Sequence, residues 1–267
     1  MDEVRMQNGS RSQETNATTG SNGHTMHKAL PAPRGLYDPA NEHDSCGIGL
    51  ICNIRNEASH KVVADGLRIL VNLEHRGAVG ADPKAGDGCG ILIQLPHDFF
   101  AAEAERLGFA LPEPGHYGVG QLFMPHDAAM RARIKAMFEE TARDEGLEVL
   151  GWRDVPVDNS VLGETVKPAE PFHCQMFVRR GDQPDQETFE RKLFVMRKVV
   201  SNRVIALKEP EARGYYAVSC SSRTIVYKGL VLAAALGEYY TDLADERVSS
   251  ALALVHQRFS TNTFPSW

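Results

Sequence analysis

No stretch of the 267 residues approaches the ~18 consecutive apolar residues that a membrane-spanning helix needs, which argues against a helical membrane protein. The N-terminus also lacks a charged-then-apolar signal pattern, so secretion is not expected. Nor is there a basic excess. Twenty-nine Lys and Arg stand against 35 Asp and Glu, a formal net charge of −6. That balance argues against a nucleic-acid footprint and against a strongly basic membrane patch. Cysteine is scarce: Cys46, Cys52, Cys89, Cys174 and Cys220, an odd number with no C-x-x-C spacing. A disulfide framework or a zinc site is therefore not expected, and reduced thiols in the cytoplasm are the plain reading. What is present is ordinary for a globular protein, 42% apolar and 24% charged, with length enough for one large domain or two small ones.

The first 34 residues, including NGSRSQETNATTGSNG, lack apolar periodicity and read as disordered. Order is expected to begin at Cys46, where CGIGLICNI reads as a buried strand. A helix follows over roughly 61–74, with Val62, Val63, Leu67, Leu70, Val71 and Leu73 as its core stripe and Gly77 as its C-terminal cap. The glycine loop AGDGCG leads into the strand ILIQL. HDFFAAEAERLG reads as a short helix, YGVGQLFM as a strand, and 127–145 as an amphipathic helix. EVLGWRDV and FHCQMFVRR read as strands and 188–207 as a long helix. YYAVSCSS and TIVYKG read as a hairpin, VLAAALGEYY as a short helix, and ALALVHQRF as a last buried strand holding Arg258. Strands grouped with interspersed helices predict a layered α+β or mixed α/β fold. No internal repeat is present. The sequence stops at Trp267 in a loop just after the last strand, with no capping helix or polar tail, and reads as a truncation.

Cys46 is the first chemical candidate. A free cysteine is most often a small buried hydrophobe. Here it lies between a polar leader and a strand, flanked by Gly47 and Gly49, which leave room for a ligand to approach the backbone. Cleavage between Ser45 and Cys46 would give Cys46 a free α-amine, whose pKa of roughly 7.7–8.0 suits a general base near neutral pH. Thiol and base would then belong to one residue. Arg76, before Gly77, reads either as a surface arginine favoured near a helix C-terminus or as a functional group. Arg258 ends an apolar run, where a charge is costly unless paired, so from the residues alone one half of a structural ion pair is a plain reading. Asp87 in the glycine loop reads as a turn residue. His75 and His256 read as packing or supporting groups, and the other four cysteines as core or loop thiols.

The ordered series CGIGL, HRGAVGAD, GDGCGI, SSRTIVYKG and ALALVHQRFSTNTFPSW resembles the amidotransferase domain of bacterial glutamate synthase large subunits, from about Gly35 to Trp267. The resemblance implies the N-terminal nucleophile hydrolase fold, an α+β four-layer αββα sandwich, incomplete here. It further implies that residues 1–45 are a propeptide and 46–267 a glutaminase domain. Cys46 is then the nucleophile, Arg76 and Gly77 position its loop, and Arg258 binds the α-carboxylate of L-glutamine. Thr261 and Asn262 match positions lining the glutamine pocket, with loop capping as the alternative.

The implied reaction gives glutamate and ammonia without a metal or cofactor in this part. In the whole enzyme, ammonia passes to 2-oxoglutarate at a site that uses FMN, an iron–sulfur cluster and NADPH delivered through a small subunit. None of those binding regions is expected in these residues. The oxyanion hole is implied to come from an Asn-Gly pair after Trp267, so residues 46–267 alone are expected to show no useful activity. A non-catalytic glutamine-binding module and another class II amidotransferase are the alternatives.

Overall fold

A computed structural model describes residues 35, 46–80, 82–260 and 265–267. The chain divides into two units, 1–43 and 44–267, and only Gly35 is described in the first. The expectations of disorder and of a propeptide over 1–45 therefore fall outside the described residues, except for the turn at Gly35.

The second unit holds eight strands: β1 (Gly47–Cys52), β2 (Cys89–Gln94), β3 (Tyr117–Met124), β4 (Glu148–Asp154), β5 (Phe172–Arg179), β6 (Tyr216–Ser221), β7 (Thr224–Gly229) and β8 (Leu252–Gln257). Five α-helices lie between them: α1 (His60–Asn72), α2 (His97–Arg106), α3 (Ala128–Asp144), α4 (Gln186–Leu207) and α5 (Leu236–Tyr239). Capping explains two sharp starts. The Asp127 carboxylate accepts the N–H of Met130 at 2.6 Å to begin α3, and that of Asp185 accepts the N–H of Thr188 at 2.7 Å to begin α4.

The strands form two antiparallel sheets, ordered β1-β8-β2-β7 and β4-β5-β3-β6, which is the α+β arrangement expected. One core lies between the second sheet and helices α3 and α4, with Leu122, Met176, Ile134, Phe138, Leu193 and Met196 at its centre. The other joins Tyr117, Val119 and Phe177 of the second sheet to Ile91, Ile225, Tyr227 and Val255 of the first, and takes in Val62, Val63 and Leu70 of α1. At ~25 cal/mol per Å² of apolar area removed from water, burial of these side chains is the main favourable contribution to the fold.

Four expectations need correction. β1 is an edge strand, not a buried one. Its Gly47 and Gly49 face α1, where Ile69 fills the space a side chain at 49 would take, and this turns Ile48 and Leu50 outward to 69% and 62% exposure. β8 is central in its sheet but half-buried: Ala253, Val255 and Gln257 point inward while Leu254 and His256 lie on the exposed face. β6 and β7 are not hairpin partners. β6 pairs with β3 and β7 with β2, so the turn between them carries the chain from one sheet to the other. Val71 is exposed on α1 rather than part of its core stripe.

Candidate active site

One end of the first sheet gathers the candidate residues. β1 and β8 run antiparallel with Gly47 opposite Gln257 and Ile48 opposite His256. Extending that register by one step sets Cys46 opposite Arg258, just beyond the ends of both strands. The Cys46 thiol is exposed and lies 3.8 Å from the carbonyl oxygen of Phe259, the residue after Arg258. The other cysteines are placed differently. Burial pushes the thiols of Cys174 and Cys220 up to about 12 and that of Cys89 well above its usual range, so they are unreactive. Cys52, though exposed, is at the far end of β1.

Arg76 closes a 3-10 turn, Glu74–Arg76, that follows α1 directly. Its side chain is exposed, and its Cβ lies only 3.0 Å from where a side chain at Gly47 would begin. Leu73 crowds the same spot at 3.2 Å. Glycine at 47 is thus what lets the arginine turn pack against the residue next to Cys46. Gly77 caps the turn as expected, its N–H donating to Glu74 O at 2.9 Å, and does so in an extended conformation with φ −104° and ψ 152°. Glycine is required there for space, because a Cβ would overlap the carboxamide of Gln257.

Beyond Gly77 the chain makes a compact loop. Gly80 N–H donates to Ala85 O and Ala85 N–H to Asp82 O, each at 3.0 Å, while Val79 and Gly86 form a bridge. The Asp82 carboxylate accepts from the N–H and hydroxyl of Thr165 at 3.1 and 2.9 Å and from the N–H of Lys84 at 3.0 Å. Those hydrogen bonds, the Thr165 N–H foremost, hold its carboxyl below the usual range.

Arg258 follows the last residue of β8 rather than lying within the strand. It is half-buried, and its N–H donates to Gly88 O at 3.0 Å. It lines a cavity of about 320 Å³ together with Asp87, Phe123, Lys228, His256 and Trp267. Partial desolvation and the adjacent Arg258 charge lower the pKa of His256. Cys46 is not among the residues lining this cavity. Thr261 and Asn262 lie outside the described residues.

Two groups escaped the sequence reading. Gln257 is 2% exposed and wedged over Gly77, and its side-chain carbonyl oxygen has no hydrogen-bond partner. Away from this end lies a buried polar network. Arg153, 3% exposed, donates twice to Asp242 at 2.8 Å, and also to Glu103 at 2.8 Å and Gln175 at 2.9 Å. Gln175 donates on to Gln121 at 3.0 Å and to the Tyr227 hydroxyl at 3.2 Å. An arginine and two glutamines inside apolar strands were the available signal, since such groups are buried only with partners.

Cys46 and Arg258 thus lie at adjacent strand ends, with the Arg76 turn packed beside Gly47. The family profile for class II glutamine amidotransferases matches residues 46–267, and the chain belongs to that family. Its fold is accordingly that of the N-terminal nucleophile hydrolases.

Among its relatives are glutamate synthases. The chain is 43% identical over 239 residues to the glutamate synthase (NADPH) large chain of Bacillus subtilis, covering 89% of this chain and 15% of that one. It is 40% identical over 245 residues to the glutamate synthase (NADH) of Schizosaccharomyces pombe, covering 90% and 11%. It is 42% identical over 232 residues to the chloroplastic ferredoxin-dependent glutamate synthase 2 of Arabidopsis thaliana, covering 87% and 14%. The chain thus spans 15% or less of the length of these three relatives.

Proposed function

We propose that this chain is the glutaminase part of a glutamate synthase large subunit, hydrolysing L-glutamine to glutamate and ammonia with Cys46 as nucleophile. The observation that carries the reading is the β1–β8 register, which sets Cys46 opposite Arg258 at the sheet end against which the Arg76 turn packs. Residues 1–45 are a propeptide whose removal frees the Cys46 α-amine. That amine takes the thiol proton, and Sγ attacks the side-chain carboxamide carbon of glutamine. The carbon–nitrogen bond breaks, ammonia leaves with the proton, and a γ-glutamyl thioester remains. Water then adds to the thioester, assisted by the same amine, and releases glutamate and the thiol.

Arg258 binds the substrate α-carboxylate through its planar fork, which matches two carboxylate oxygens. Arg76 and Gly77 hold the nucleophile's surroundings, and Thr261 and Asn262 contribute to the glutamine pocket. The ammonia converts 2-oxoglutarate to a second glutamate in another part of the protein. Two electrons from NADPH, delivered through a small subunit, would reach that site by way of an iron–sulfur cluster and FMN. The residues described here do not fit such a cluster: their cysteines are dispersed, and among them no three His, Cys, Asp or Glu stand together as a metal-binding group. No helix among the described residues is long and apolar enough to cross a membrane.

The test is Cys46→Ala in the full-length protein. Glutamine-dependent glutamate formation should vanish, ammonia-dependent formation should persist, and intact mass should show residues 1–45 retained. Undiminished glutamine turnover would exclude Cys46 as the nucleophile.

A further inference from the structure

Asp87 makes hydrogen bonds toward both halves of the candidate site. Its N–H donates to Ala78 O at 3.3 Å, in the segment leaving Arg76 and Gly77. Its carboxylate accepts the N–H of Ser260, two residues past Arg258. The next residue, Gly88, accepts the N–H of Arg258 at 3.0 Å. Three backbone groups, on 78, 258 and 260, are thus held by two consecutive residues of one loop. That loop is itself fixed: Gly88 has a φ of +95°, and a side chain there would come within 2.7 Å of Gly229 O. The aim of the Asp87 carboxylate is therefore set by backbone that no other residue type accommodates without strain. Asp87 and Arg258 also line the same cavity of about 320 Å³.

We propose that Asp87, beyond serving its own turn, is a positioning residue for glutamine binding. By accepting from Ser260 it sets the path of the chain that leaves Arg258, and through Ala78 it couples that path to the Arg76–Gly77 segment. The inference rests on the glutaminase reading above. A hydrogen bond to a charged acceptor is strong enough that its loss moves an equilibrium about tenfold or more.

The experiment uses the full-length enzyme and three variants. Asp87→Ala removes the acceptor, Asp87→Asn keeps one acceptor oxygen without the charge, and Ser260→Pro removes the donor and leaves Asp87 intact. Glutamine KM and kcat are read by ammonia release, with ammonia-dependent glutamate formation and Tm measured beside them. The expected result is a rise in glutamine KM of about tenfold or more in Asp87→Ala and in Ser260→Pro, with kcat falling less, and substantial recovery in Asp87→Asn. Ammonia-dependent formation should stay near the wild-type rate, which a general loss of folded protein would not allow. Unchanged KM in Ser260→Pro, or in a folded Asp87→Ala, overturns the proposal. A wild-type enzyme that released no ammonia from glutamine would instead overturn the glutaminase reading itself.

Discussion

Arg153 and Arg258 both belong to runs of apolar strand sequence, yet the structure places them in different surroundings. Arg153 is 3% exposed, and its guanidinium donates to Asp242, Glu103 and Gln175, contributed from elsewhere in the chain. Its charge is spent on holding β4, β5, α2 and the turn after α5 to one another. Arg258 sits one residue beyond its strand, half-buried, with its N–H tied to Gly88 and its side chain lining a cavity. A charge enclosed with its partners specifies how elements assemble. Arg258 instead borders a cavity that it lines together with Asp87, Lys228 and His256. The argument that a charged residue in an apolar strand must be paired, made from the sequence for Arg258, applies with greater force to Arg153.

That contrast breaks most visibly if one partner of the enclosed pair is deleted. Asp242→Ala strands a buried guanidinium and should destabilise the protein by about 3–5 kcal/mol, read by urea denaturation. A loss under ~1 kcal/mol would mean that the network is not closed to water. The same enclosed region contains His173, 3% exposed, between the hydroxyls of Tyr239 and Tyr240 at 2.6 and 3.3 Å. Burial, reinforced by His126, pushes its pKa down from 6.5 to about 3. The unfolded chain then binds the extra proton between those values, so stability should rise with pH across that window and level off above about 6.5. From about pH 5 to 6.5 the gain should approach ~2 kcal/mol, and His173→Gln should flatten it.

At the rim, Arg258→Lys should leave Tm within a few degrees of wild type while raising glutamine KM about tenfold or more, because an ammonium cannot make the two-pronged contact. A large fall in Tm with unchanged KM would turn Arg258 into another Arg153. The smallest effect belongs to Gly77→Ala. Its Cβ would overlap the carboxamide of the buried Gln257, which must shift at a cost of about 1 kcal/mol. Gln257→Ser should restore that stability if the overlap is the cause, and a double-mutant cycle measures the coupling.

The elements were legible where local chemistry decides. YGVGQLFM is β3 residue for residue, and the stretch read as 127–145 is α3 with Asp127 as its cap. The order of motifs from CGIGL to the final arginine marked the family and the same residues that the β1–β8 register brings together. Illegible were the features that depend on which surfaces meet. An extended strand reads the same whether it pairs with its sequence neighbour or with a distant one, so β6 and β7 looked like a hairpin. Gly77 was legible as a cap, but not the reason it is glycine: Gln257, brought there by β8, fills the space of a side chain.

By itself the sequence determined the types and limits of most elements and the family, because periodicity, capping and motif order are properties of neighbouring residues. Tertiary structure alone decided that β1 lies at an edge with Ile48 and Leu50 outward, and that Arg153 is enclosed by Glu103 and Asp242. It also decided that Asp87 holds the chain beyond Arg258. The partners in these contacts lie 50 to 173 residues apart. Such pairings follow from how whole faces pack, and no local pattern carries that information.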